Sequence, residues 1–276
     1  SYEGYLAAAI VLFFIGFFGF FLNLFVIILM CKERQLWTPL NVILFNLVCS
    51  DFSVSILGNP FTLASSIAHT WIFGPTMCVV YGFFMSLLGI TSITTLTVLS
   101  FERYVMVSRP FHKRQLTCRG AGFTVVGIWV YSLALTTPPL FGWSDYVSEA
   151  ANISCSVNWQ EQTLSTTTYI AFLFIFGLVI PVIVITFSYV NIIRTMRENS
   201  MRLCRVSKAE GRVTRMIAVM IAAFLIAWTP YAILALLIQF GDPNSVSPAM
   251  GVVPALVAKS SICYNPLIYV GLNTQF

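Results

Sequence analysis

Long apolar runs separated by short polar stretches dominate the chain, and the runs carry neither the two-residue alternation of strands nor a one-sided helical stripe. Helices that are apolar on every side belong in a membrane or a large core. Seven runs reach the roughly 18 residues that a spanning helix needs: 5–30, 39–68, 78–107, 121–141, 169–193, 213–240 and 250–272. The pattern predicts an all-α membrane protein, a seven-helix transmembrane bundle forming one domain over 1–276. Composition agrees, with 58% hydrophobic and 9% charged residues. Ser1 is not an initiator Met and Phe276 ends abruptly, so both tails are expected to be missing, and the first span serves as its own insertion signal.

Charge then orients the bundle. Segments 31–38, 108–120 and 194–212 are rich in Lys and Arg, whereas 69–77, 142–168 and 241–249 have none. The positive-inside rule puts the first set in the cytoplasm and the N-terminus outside, and seven spans then place the C-terminus inside. The net charge of +5 follows from this asymmetry and reports topology and lipid headgroups, not nucleic acid. Of the cysteines, Cys31, Cys118 and Cys204 fall on the cytoplasmic side and Cys49 and Cys263 within spans. Cys78 and Cys155 share the oxidising side and make the one plausible disulfide. It would tie the loop 142–168 over the bundle mouth. Asn152-Ile153-Ser154 is a glycosylation sequon on that side. Its place beside Cys155 in a tucked-in loop weighs against use.

Lys259 changes the picture most, because it stands mid-way along the last run among Leu256, Val257, Ala258 and Ile262. A charge at membrane depth is costly and marks a functional site by default. Desolvation pushes an amine toward its neutral, nucleophilic form, which attacks carbonyls. A snorkelling role would require a position nearer the headgroups. Other polar groups within the spans are few. Asn23, Asp51, Ser92, Ser261 and Asn265 read equally as a hydrated packing network and as a cation site or relay. Glu102-Arg103-Tyr104 ends the third span, and Glu210 precedes the sixth on the same side, so that Arg103–Glu210 would form a breakable latch. Pro181, Pro230 and Pro266 weaken the helices in the fifth, sixth and seventh spans, with Trp228 beside one kink.

Taken together, Glu102-Arg103-Tyr104, Trp228-Thr229-Pro230-Tyr231, Asn265-Pro266-Leu267-Ile268-Tyr269, Asn23, Asp51, Trp129 and the Cys78/Cys155 pair resemble rhodopsin-family G-protein-coupled receptors over essentially the whole chain. Lys259, six residues before Asn265, resembles the retinal-binding lysine of animal opsins. Within the opsins the chain is most similar to ciliary members of the encephalopsin and teleost-multiple-tissue types, as a bistable invertebrate or non-visual pigment. The resemblance implies a light receptor, not an enzyme, with retinal (11-cis in the dark) on Lys259 as a protonated Schiff base. Where vertebrate visual opsins carry a counterion glutamate, this chain has Tyr81, which is not anionic at neutral pH. The outer-loop Glu149 matches the counterion of bistable opsins instead, with Asp145 as a solvated competitor.

By position the retinal pocket would comprise Gly82, Met85, Ser86 and Gly89 from the third span, Phe224, Trp228, Tyr231 and Ala232 from the sixth, Ala255 from the seventh, and Val157 and Trp159 from the loop. Ile90 and Gly177 stand where visual rhodopsins hold polar groups. On illumination the sixth span would swing about Pro230 and open Arg103–Glu210, and Tyr189 and Tyr269 would then hold Arg103. The exposed cleft would take the tail of a Gi/Go or transducin-like G protein, and later arrestin. Three rivals remain open at this point. A diffusible-ligand receptor shares every motif except Lys259. A retinal photoisomerase need not couple to a G protein. A microbial-type pump would want third-span carboxylates where Tyr81, Gly82 and Met85 stand.

Overall fold

The computed structural model describes residues 1–108, 116–198 and 207–273, with the side chains of 207–209 left aside. Part of the second and third expected basic loops, 108–120 and 194–212, and Cys204 with them, lies outside the described residues. The first span is Tyr2–Lys32. The second runs through Pro39–Leu57 and, past Gly58, Asn59–Ala68. The third is Gly74–Ser108 and the fourth Cys118–Thr136. The fifth comprises Leu164–Phe174, a π-helical turn Ile175–Val179, and Ile180–Glu198. The sixth is Ser207–Phe240. The seventh is Pro248–Lys259, a 3-10 turn Ser260–Cys263, and Tyr264–Leu272.

Local chemistry sets where several spans begin. Thr38 Oγ1 accepts from Asn41 N–H at 3.3 Å with Pro39 at the first helical position. Thr117 does the same for Gly120 at 3.0 Å and Ser247 for Met250 at 3.3 Å. Each side-chain oxygen satisfies an amide that has no partner within its own helix. Termini differ from the apolar pattern where prolines intervene. The fourth helix ends at Thr136, five residues short of the apolar run, because Pro138 and Pro139 redirect the chain into a 3-10 turn Pro138–Phe141. The fifth begins at Leu164 because Thr163 caps it. Among the described residues, six helices are long and apolar enough to cross a membrane. The seventh misses that measure because the 3-10 turn divides it into helices of 12 and 9 residues.

The third span is the central post, in contact with the second, fourth, fifth and sixth. The first packs on the second and the seventh, and the sixth on the seventh. Phe13, Phe14, Phe17, Phe18, Phe21 and Phe25 of the first span stay exposed, as lipid-facing side chains do, while Leu12, Asn23 and Val26 turn inward. The all-α expectation needs one addition. Strands β1 (Tyr146–Ser148) and β2 (Cys155–Val157) pair antiparallel in the outer loop, with Ser148 opposite Cys155. The Cys78–Cys155 disulfide fastens β2 to the third span. Asn152 sits in the turn between the strands at φ 58°, its side chain exposed and donating to Thr70 Oγ1 at 2.7 Å.

Candidate functional site

A cavity of about 290 Å3 opens beneath the β1–β2 hairpin, close to the lower bound of about 300 Å3 for small-molecule sites. Lys259 lies at one end. Its side chain is partly buried, and Nζ donates to Tyr81 Oη at 2.7 Å and Thr62 Oγ1 at 3.1 Å. Those two hydroxyls are bonded to each other at 2.7 Å, closing a triangle. Tyr81 and Thr62 are 4% and 1% exposed, so the amine meets two hydroxyls fixed by the second and third spans and no acid. Thr62 was not among the expected residues. The signal was present: Asn59, Thr62 and Ser66 share one helical face and are all buried.

Glu149 also lines the cavity, from the turn after β1. The residue is only partly buried, yet its carboxyl faces inward and accepts from Tyr231 Oη at 3.5 Å. It is not in ion-pair contact with Lys259; among the described residues the ion pairs are those of Arg103. Burial raises the Glu149 carboxyl above its usual value, and the Lys259 charge with the hydroxyls of Ser154, Ser156 and Tyr231 pulls it partly back. Asp145 is exposed and accepts from Asn158 Nδ2 at 3.0 Å, facing solvent.

Along the cavity walls stand Met85, Ser86 and Gly89 on one side and Phe224, Trp228, Tyr231 and Ala232 on another. Ala255, Val157 and Trp159 complete the expected group. Gly82 stands one turn above Met85 and Ser86, outside this lining, and a Cβ there would meet Tyr146 at 3.1 Å. It is the close approach of β1 that needs the glycine. The far end is built by Leu173, Phe174, Gly177 and Leu178 of the fifth span, reached by the π-helical turn. A Cβ on Gly177 would lie 2.8 Å from Ile90 Cδ1, so this end has no spare methyl volume. Trp228 crosses the floor, with Nε1 donating to Ser261 Oγ at 3.2 Å and its ring against Gly89.

Below the floor, Asn265 Nδ2 donates to Asp51 Oδ2 at 2.9 Å. Asn23 does not join that pair directly; its amide donates to Gly19 O at 2.7 Å and to Ile262 O at 3.0 Å, in the 3-10 turn. Ser92 returns to its own helix at Leu88 O (3.0 Å), although Asp51, Ser92 and Ser261 all border the same cavity. At the opposite end of the bundle Arg103 is held by Glu102 at 2.7 and 2.9 Å and by Glu210 of the sixth span. Tyr104 rests edge-on against Phe187 at 5.4 Å. Tyr189 Oη donates to Thr214 O at 3.0 Å, and Tyr269 is buried beside Pro266.

The description "7 transmembrane receptor (rhodopsin family)" matches residues 22–269. The chain is 36% identical to pinopsin of Columba livia, over 99% of this chain and 79% of that protein. It is 34% identical to the GQ-coupled rhodopsin of Mizuhopecten yessoensis (95% of this chain, 56% of the relative) and 36% to melanopsin of Phodopus sungorus (92% and 57%). It thus spans little more than half of the latter two. The crystal structure of squid rhodopsin superimposes with a TM-score of 0.94 at 30% identity, over 100% of this chain and 83% of that one. The chain belongs to the rhodopsin family of seven-transmembrane receptors and, within it, to the animal opsins.

Proposed function

We propose that this protein is a light-sensing G-protein-coupled receptor that binds retinal, 11-cis in the dark, at Lys259, and that it is a bistable pigment of the encephalopsin and teleost-multiple-tissue group. The observation that carries this reading is the Lys259 amine projecting into a largely apolar cavity and anchored on two hydroxyls. The residues fit such a group: a nucleophilic amine at one end, aromatic and aliphatic walls, and a far end trimmed to glycine at Gly177. When bound, retinal supplies a polyene that absorbs light and, as a Schiff base, a cation at the former amine. Tyr81 and Thr62 hold Nζ and orient it. Glu149 supplies the negative charge across the cavity, as its counterion, in a medium where a charge is screened little.

Signal transfer runs through the same side chains. Trp228 is wedged between Gly89 and Ser261, so a push from the cavity reaches the sixth span two residues before Pro230. Pro230 lacks the amide that would close the preceding turn, which makes that turn the place to bend. Bending there pulls Glu210 from Arg103 and frees Tyr189 and Tyr269 to rearrange around it. The opened inner face then receives a heterotrimeric G protein of the Gi/Go type and afterwards arrestin, with the N-terminus outside and the C-terminus inside the cell. The Cys78–Cys155 disulfide, at the hairpin end, supports that orientation.

Dark reconstitution with 11-cis-retinal is expected to give a visible absorption band that shifts, without bleaching, on illumination. Nucleotide exchange measured on Gi, Go and Gq then decides the coupling; a relative named as GQ-coupled makes the third arm necessary. A pigment that forms but drives no exchange would indicate a photoisomerase, and a chain that takes up no retinal would indicate a receptor for a diffusible ligand. Glu210→Gln removes the charge that faces Arg103 and is expected to raise dark exchange several-fold while leaving the absorption band in place.

A further inference from the structure

Beyond the hairpin, the outer loop and the first turn of the fifth span are fastened to the outer half of the sixth span at three levels. Trp159 Nε1 donates to Tyr231 Oη at 3.1 Å. Nearer the surface, the buried Gln239 donates through Nε2 to Thr167 Oγ1 at 2.8 Å. At the end, Gln162 Nε2 points at three carbonyls: Gln239 O and Gly241 O at 2.9 Å each and Ile238 O at 3.4 Å. The last carbonyls of a helix have no amide of their own helix to bond. Gly241 N–H closes back on Leu237 O at 2.8 Å, and the carbonyls beyond it turn to the Gln162 carboxamide. Pro230 lies between this fastened half and the inner half held at Glu210 and Thr214.

We infer that Gln162 is a positioning residue: its carboxamide caps the outer end of the sixth span and keeps that half stationary, so that bending at Pro230 is delivered to the inner end. The cap stands on the hydrogen bonds alone; its use in signalling rests on the light-receptor reading above. The chemistry needed is a donor. Lysine at 162 would also donate, and its charge suits a helix C-terminus. Glutamate has nearly the shape of glutamine but offers oxygens to oxygens and places negative charge where the helix is already negative.

Gln162 is exposed, so neither change disturbs the core. Amide exchange over residues 234–241 is measured in the retinal-free protein. Gln162→Glu is expected to exchange about tenfold faster, as the loss of a hydrogen-bonded cap allows, and Gln162→Lys at the wild-type rate. Equal rates for wild type and Gln162→Glu, or fast exchange in both variants, would overturn the cap. In reconstituted protein, spin labels on the inner end of the sixth span are expected to move about half as far on illumination in Gln162→Glu as in wild type. Equal movement would overturn the positioning role. Absence of movement in wild type itself would count against the light-receptor reading and leave the exchange result intact.

Discussion

Lys259→Ala is expected to abolish covalent uptake of retinal and all visible absorption, with a loss of more than a hundredfold in adduct trapped by acid or borohydride. The protein should still fold. Removing the side chain deletes the donor that bridges Tyr81 and Thr62, but those hydroxyls already bond each other at 2.7 Å and remain satisfied without it. No unpaired buried group is left behind, which is the usual reason a polar deletion unfolds a protein. The checks are therefore separable: size-exclusion behaviour and the Cys78–Cys155 disulfide report folding, and the trapped adduct reports attachment. A Lys259→Ala protein that still shows a trapped adduct would place attachment elsewhere and end the reading of the cavity. Adding a free primary amine with the aldehyde should restore part of the absorption, because the emptied space beside Tyr81 and Thr62 accepts the amine that the chain no longer supplies.

Lys259 was legible in the sequence because a lone cation in an apolar run is expensive enough to require an explanation. The Cys78–Cys155 pair was legible because a disulfide needs both partners on one side of the membrane. Thr62 carries a weaker signal. A threonine in a helix returns its hydroxyl to its own backbone, as Thr95 does at 2.6 Å, so nothing in the residue type separates an anchoring hydroxyl from a self-satisfied one. Only the shared face of Asn59, Thr62 and Ser66 marks it. The fifth-span lining was hidden differently. A π-helical turn at Ile175–Val179 widens one turn, so Leu178 joins Leu173 and Gly177 on the lining although the α-helical period alone would not select it. Gly82 shows the limit from another side: its spacing puts it on the face of Met85, Ser86 and Gly89, yet its nearest neighbour is Tyr146 of β1, a contact set by a loop strand that no periodicity announces. What a sequence carries well is the cost of an anomaly; what it carries poorly is the direction of an ordinary side chain.

Glu149→Gln is expected to act with opposite sign on the empty and the retinal-loaded protein. In the empty protein the carboxyl is raised above its usual 4.5, with burial as the main cause. A folded state that holds the proton more tightly than the unfolded state is most stable below that usual value and loses the advantage as pH rises through the raised one. Glutamine carries no such liability, so Glu149→Gln should raise the melting temperature by a few degrees at neutral pH and flatten its fall between mild acid and neutrality. Once a cation sits at Lys259, the balance reverses. The carboxylate then stabilises the positive charge across a poorly screened cavity, and its removal should lower the proton affinity of the linkage by at least about one unit. An alkaline titration of the visible band reads this directly. Tyr81→Phe is the needed contrast. It deletes a hydroxyl 2.7 Å from Nζ but no charge, so it should disturb the titration less than the more distant Glu149, even though its contact is the shorter. Were Tyr81→Phe the larger of the two, the positive charge would be held by the hydroxyl pair, and Glu149 would be a hairpin residue tied to Tyr231. A loop carboxyl with a merely structural role would shift the empty and loaded proteins in the same direction; a counterion cannot.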